Sequence, residues 1–248
     1  MIQIPELYKP ENFTIQSCEN RPDLRQIQKK NLNVFKIIEL RRLFYIEYLK
    51  MFNRRFECTK ESNELLYTIL CYFFKSQSFF DSPRLVIPEN TSPNFSKGLL
   101  IMGNTGIGKT SILLALEKIF KEHIIYNPKI HFKSMTAHKA VNEFEKVKSP
   151  DEKDEFFSRH NRGFRFYDDV KSEDDASNFG KQNLFKKILH QRNEKRLKTI
   201  ITCNFAPTDP DNFQKGLEEF GTRYDERIYD RLFSDFNFIL ANGTSLRR

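Results

Sequence analysis

Apolar positions along the chain follow two regimes, and the change between them falls near residue 98. Before it, Leu32, Phe35, Leu40, Leu43, Phe44 and Ile46 recur near a 3.6-residue period, which predicts a helix within residues 24–56. Lys29, Lys30, Lys36, Arg41, Arg42, Arg54 and Arg55 fill its polar positions. Ser62 stands as the N-cap of a second helix carrying Leu65, Leu66, Ile69, Leu70 and Phe73. Residues 81–97 hold three prolines and no helical period, so they read as a connector with a short extended piece. After residue 98, short apolar runs alternate with helical periods. Strands are expected at 99–102, 130–135, 163–167, 199–203 and 238–240. Helices are expected through Ile112–Phe120, through Ala140–Phe144 (stopping at Ser149-Pro150), and over 184–197 and 223–233. This alternation predicts an α/β fold, a five-stranded parallel sheet covered by helices.

Composition narrows the classes. Aromatics are 14% of 248 residues, enough to build a packed core rather than a disordered chain. Residues 65–74, the most apolar stretch, are about half the length of a membrane helix and are interrupted by Thr68. The first residues lack the basic and apolar regions of a secretory signal. Cys18, Cys58, Cys71 and Cys203 are scattered without a CxxC, and the five histidines do not cluster with them. No zinc site and no membrane partner are expected; free thiols fit a cytoplasmic protein. The net charge of +8 divides evenly, with 15 basic and 11 acidic residues before Gly98 and 26 and 22 from it onward. That leaves room for a polyanionic partner without identifying one.

The most specific signal is G-x-x-x-x-G-K-[ST] over Gly103, Asn104, Thr105, Gly106, Ile107, Gly108, Lys109 and Thr110, followed by Ser111. Glycines let backbone amides curl around phosphate oxygens, and the helix that follows points its positive end at the anion. Lys109 is expected to reach the β- and γ-phosphates and Thr110 to coordinate Mg²⁺. Only 9 glycines occur in the chain, and three of them sit in this loop.

Phe164-Arg-Phe-Tyr-Asp168-Asp169 is a strand ending in two carboxylates. Asp168 is placed to hold the metal through water, and Asp169 to polarise the attacking water. A solvated acidic turn is the alternative, since Glu173, Asp174 and Asp175 follow, but the pair sits at a strand's carboxyl end, where ligands bind in such sheets. A further strand separates these acids from the phosphate loop. That order resembles the additional-strand division of P-loop proteins, which includes the AAA+ ATPases. There a polar side chain at the tip of the next strand lies beside the γ-phosphate, and Asn204 fits that sensor position; alternatively it starts the turn before Pro207. Arg223, Arg227 and Arg231 are spaced four apart on one predicted helix face. One of them can serve a neighbouring subunit as an arginine finger, or all can be solvated partners of Asp225, Glu226 and Asp230.

Four segments, KGLLIMGNTGIGKTSIL, FYDDVKSE, LFKKILHQRNEKRLKTIITCN and RYDERIYDRLFSDFNFILANGTSLRR, together resemble the bacterial replicative-helicase loader ATPases and the helper ATPases of certain transposons, both AAA+ proteins. The resemblance runs over about residues 97–248. It implies ATP and Mg²⁺ at the phosphate loop and Asp168, a catalytic acid at Asp169, a sensor at Asn204, a finger at Arg231 with Arg227 second, and a terminal arginine at Arg247. Glu173 falls on an acid that usually follows the paired carboxylates, whereas Lys171 stands where the family commonly has glycine. The resemblance implies no helical lid after the last strand, as is usual in that family.

The expected organisation is a helical docking region over 1–60, a helix and connector over 61–97, and an ATPase core over 98–248. Expected partners are a replicative helicase, single-stranded DNA and further copies of the chain on nucleotide binding. A transposition helper and a nucleotide-gated adaptor with little turnover are the alternatives. Residues 181–198 hold seven basic residues and one acid. Lys186, Lys187, Arg192, Lys195, Arg196 and Lys198 either face DNA or form a solvated surface.

Overall fold

A computed structural model describes residues 37–178, 180–209 and 211–245. Arg247 and the first part of the predicted N-terminal helix lie outside them. Six strands are described: β1 (Leu85–Val86), β2 (Gly98–Gly103), β3 (Phe132–Thr136), β4 (Phe164–Asp168), β5 (Thr199–Cys203) and β6 (Phe236–Ala241). Eight α-helices accompany them among the described residues: α1 (Ile37–Phe52), α2 (Lys60–Phe73), α3 (Lys109–His123), α4 (Ala137–Glu145), α5 (Pro150–His160), α6 (Leu184–Glu194), α7 (Phe213–Arg223) and α8 (Glu226–Asp235). No helix among the described residues is long and apolar enough to cross a membrane.

Every residue of β2 is buried, because both of its faces are covered. Leu99 and Ile101 pack into one apolar cluster with α1, α2 and α3, including Phe44, Leu66, Ile69, Ile112 and Leu116. Leu100 and Met102 enter the other, with residues of α4 through α8 such as Phe144, Phe156, Phe185, Leu217 and Ile228. Strand alternation therefore sorts the helices into two layers around one sheet. Burying continuous apolar strands on both faces is what parallel sheets require.

The sheet order is β1-β6-β2-β5-β4-β3. Its last five strands run parallel, but β1 adds an antiparallel sixth, pairing Leu85 with Ile239 and Val86 with Phe238. This corrects the expected five-stranded parallel sheet. The short extended piece within residues 81–97 is β1, too brief to show a period before Pro88. At the far side, the Ser134 amide of β3 donates to Glu117 Oε1 of α3 at 3.1 Å.

Three helix limits differ from expectation. Thr59, not Ser62, caps α2: its side chain accepts from the Ser62 amide at 3.1 Å. Ser149-Pro150, read as a stop, also starts α5. Ser149 Oγ accepts from the Glu152 amide, and proline suits the first helical position. The helix expected over 223–233 is broken at Tyr224. Asp225 caps α8 by accepting from the Ile228 amide at 2.8 Å, and α7 ends at Arg223. Arg223 therefore does not share a helix face with Arg227 and Arg231.

Candidate nucleotide-binding site

β2 ends at Gly103 and α3 begins at Lys109, so residues 104–108 turn at the carboxyl ends of the strands. A side chain is excluded at Gly103, where a Cβ would lie 1.6 Å from Ala241 O of β6. Gly106 (φ 90°) and Gly108 (φ 91°) take left-handed backbone, which L side chains reach only with strain. No backbone carbonyl of the described residues accepts from the amides of Thr105, Gly106, Ile107 or Gly108. A run of donor amides at a helix start is suited to phosphate oxygens.

Three strand ends bring the polar groups together. Lys109 is buried, and its Nζ donates to Gly103 O (2.6 Å), Asn104 O (2.9 Å) and Asn204 Oδ1 (3.1 Å). Asn204, just past β5, donates through Nδ2 to Asp169 Oδ1 at 3.1 Å. One amide side chain thus links the ammonium to the second carboxylate. The first carboxylate, Asp168, accepts at Oδ1 from Thr110 Oγ1 (2.7 Å) and Thr202 Oγ1 (2.5 Å). Hydroxyl and carboxylate oxygens are the hard donors that Mg²⁺ takes, so Thr110 and Asp168 fit that ion.

Thr202 was not singled out in the sequence, yet it serves both acids: its Oγ1 also accepts from the Asp169 amide at 3.1 Å. The signal was a hydroxyl inside the otherwise apolar run Ile200-Ile201-Thr202-Cys203. Ser111 Oγ donates to Gly108 O and accepts from Tyr48 Oη of α1 at 3.3 Å, so it joins the loop to the N-terminal layer.

The loop after Asp169 explains how lysine stands where glycine is common. Asp169 (φ 58°) and Lys171 (φ 81°) are both left-handed, a conformation costing about 1 kcal/mol for a side chain. Lys171 offsets that strain with an ion pair to Glu219 Oε2 at 2.5 Å and a bond to Gly216 O. Its amide donates to Glu173 Oε2 and to Tyr224 Oη. Glu173 is buried and also accepts from Tyr224 Oη (2.7 Å) and Arg223. Burial, and then the Glu173 carboxylate, push the Tyr224 phenol well above its ordinary pKa.

Arg227 and Arg231 are not brought to this site. Arg227 is exposed. Arg231 Nη1 lies 3.2 Å from His190 Nδ1, and Arg231 lines a cleft with Thr199 and Phe236, the first residues of β5 and β6. That is the pole opposite the phosphate loop.

The basic segment is likewise redistributed. Arg192 is 1% exposed, and it donates to Thr199 Oγ1, His160 O, Gly163 O and Lys198 O. It does not belong to a DNA-facing surface. Lys187 lies over the Phe157 ring at 4.2 Å, and Lys186 pairs with Asp225 at 3.2 Å.

A glycine loop between the central strand and its helix, with a carboxylate pair two strands away, defines an α/β P-loop NTPase fold. A crystal structure of the DnaC helicase loader shares it: TM-score 0.54, 19% identity, covering 80% of this chain and 98% of that one. At that identity the likeness is one of fold. No family model matches the chain, and no curated protein does.

Proposed function

We propose that the chain is a Mg²⁺-dependent ATPase of the AAA+ helicase-loader type. The observation that carries this is the pair of linked bond chains, Lys109–Asn204–Asp169 and Thr110–Asp168–Thr202, at one set of strand ends. Bound Mg·ATP supplies the phosphoryl group and the cation that draws charge from it. The chain's own residues do the rest. The loop amides and Lys109 bind phosphate; Thr110 and Asp168 hold the metal; Asp169 accepts a proton from water; Asn204 orients Asp169. Arg231, with Arg227 second, serves the site of a neighbouring copy. Residues 1–60 dock a replicative helicase, 61–97 connect, and 98–248 form the ATPase core, which engages single-stranded DNA. The fold shared with the DnaC helicase loader supports the partner class.

The test measures ATP binding and steady-state hydrolysis by the full chain, alone and with single-stranded DNA and a replicative helicase. Hydrolysis stimulated by either partner is the expected result. A Lys109→Ala variant that binds and hydrolyses ATP normally overturns the reading. Co-purification with a replicative helicase tests the loader assignment.

A further inference from the structure

The residues after β6 run back across the phosphate loop. A Cβ built on Gly106 would lie 2.2 Å from Ser245 Oγ, so the Ser245 side chain occupies the outer face of the loop at its left-handed glycine. The loop's first amide, Asn104 N, is tied to the same strand by a 3.1 Å bond to Ala241 O. Between Ala241 and Ser245 the chain is held from outside. Arg84, 8% exposed, donates through Nη1 to Asn242 O at 3.2 Å and to Asn242 Oδ1. Its Nε donates to Glu64 Oε2 of α2 at 2.9 Å, and its carbonyl accepts from the Leu240 amide at 2.8 Å. Gly243 (φ 148°) passes so close to α2 that a Cβ there would lie 3.0 Å from Glu61 Cγ.

We propose that residues 242–245 form a strap that seats the phosphate loop, with Arg84 as the positioning residue that holds the strap against α2. A buried guanidinium spends its donors at once on a carboxylate of the N-terminal layer and on both oxygens of Asn242. Charge-assisted bonds of this kind fix a geometry as well as stabilise it. The strap in turn lays the exposed Ser245 side chain against Gly106. Phosphate entering the loop meets a preorganised cradle, and any displacement of the loop is transmitted to Glu61 and Glu64 on α2. The nucleotide part of this inference rests on the ATPase reading; the seating of the loop does not.

The test uses full-length Arg84→Ala and Asn242→Ala, read in two ways. Without nucleotide, hydrogen exchange at the Asn104 amide, which is bonded to Ala241 O at the foot of the strap, should quicken about tenfold in both variants, while exchange in β4 and β5 stays as in the parent. With Mg·ATP, KM should rise about tenfold, and kcat should change less than twofold. The double variant should add little to Arg84→Ala, since that variant already removes the side-chain bond lost in Asn242→Ala. Unchanged loop exchange in both variants overturns the strap, whatever the nucleotide result. If the loop exchange quickens but the parent chain binds no ATP, the ATPase reading fails and the strap stands. If Arg84→Ala loosens the whole molecule, Asn242→Ala alone decides, because it removes a single acceptor from a half-buried residue.

Discussion

Two cations lie buried at opposite ends of the sheet, and they are buried differently. Arg192, at the amino-terminal ends of the strands, donates to four oxygens that are all neutral, three of them backbone carbonyls. Burial pulls its pKa down to about 10, and the aromatic face of Tyr167 lies 5.9 Å from the guanidinium carbon. That site is filled by the protein itself. Lys109, at the carboxyl ends, also rests on two backbone carbonyls, but it stands among loop amides, two hydroxyls and two carboxylates. A buried cation whose surroundings are complete is structural; one beside further donors and acceptors can take a ligand.

Arg192→Met should cost about 4 kcal/mol, because the carbonyls of His160, Gly163 and Lys198 lose a charged donor inside the fold. Urea denaturation measures this, and a loss below about 1 kcal/mol contradicts a structural role. Lys109→Ala should behave in the opposite way: ATP affinity falls about a hundredfold, near 2.7 kcal/mol, while the melting temperature without nucleotide shifts by only about 2 °C. A large melting shift would make Lys109 a second Arg192.

Thr202→Val removes the hydroxyl shared by Asp168 and Asp169 while keeping the side-chain volume. Steady-state hydrolysis should drop about tenfold with the fold intact. At the closed pole, pH provides a probe of similar size. His160 accepts from Tyr167 Oη or donates to it at 2.9 Å, and its ring stacks on that residue. Burial, then the cations Arg165, Arg159, Arg192 and Lys133, pull its pKa from 6.5 to about 3. Below 6.5 the unfolded chain binds a proton that the folded chain refuses until about 3. The contribution is therefore whole above 6.5 and is lost as pH falls toward 3, at up to about 1.4 kcal/mol per pH unit. His160→Asn should flatten the stability profile between pH 6.5 and 5; an unaltered slope removes His160 from the account. The smallest effect is expected for Lys187→Ala, about 0.5 kcal/mol from the lost contact with Phe157.

Much of the phosphate pole was legible because its chemistry depends on spacing within short segments. The glycine loop, the paired acids and Asn204 each end or follow a strand that the apolar runs mark. Thr202 was missed because a lone threonine in a β-branched run also reads as strand filler. The opposite pole was misjudged for another reason. A basic run shows total charge, whereas burial depends on helix phase. Arg192 follows Leu184, Phe185, Ile188 and Leu189 at helical spacing, so the apolar face already included it. Likewise α7 and the Asp225 cap were not read from the polar stretch after Pro207, since tertiary packing of Leu217 and Phe220 supplies what local pattern does not.

The two flanks of the sheet bear on how copies of the chain can join. A parallel sheet ordinarily leaves outer backbone groups ready to recruit another strand. Here β1 covers β6 for two residues and then meets Pro88, which has no amide to offer. On the other margin Glu117 already occupies the Ser134 amide, and Lys133 is exposed beside it. Among the described residues, each margin is interrupted at these points, which disfavours strand addition. The self-association proposed above would then rest on side chains, and such contacts could be remade with each change of bound ligand, where a fused sheet could not.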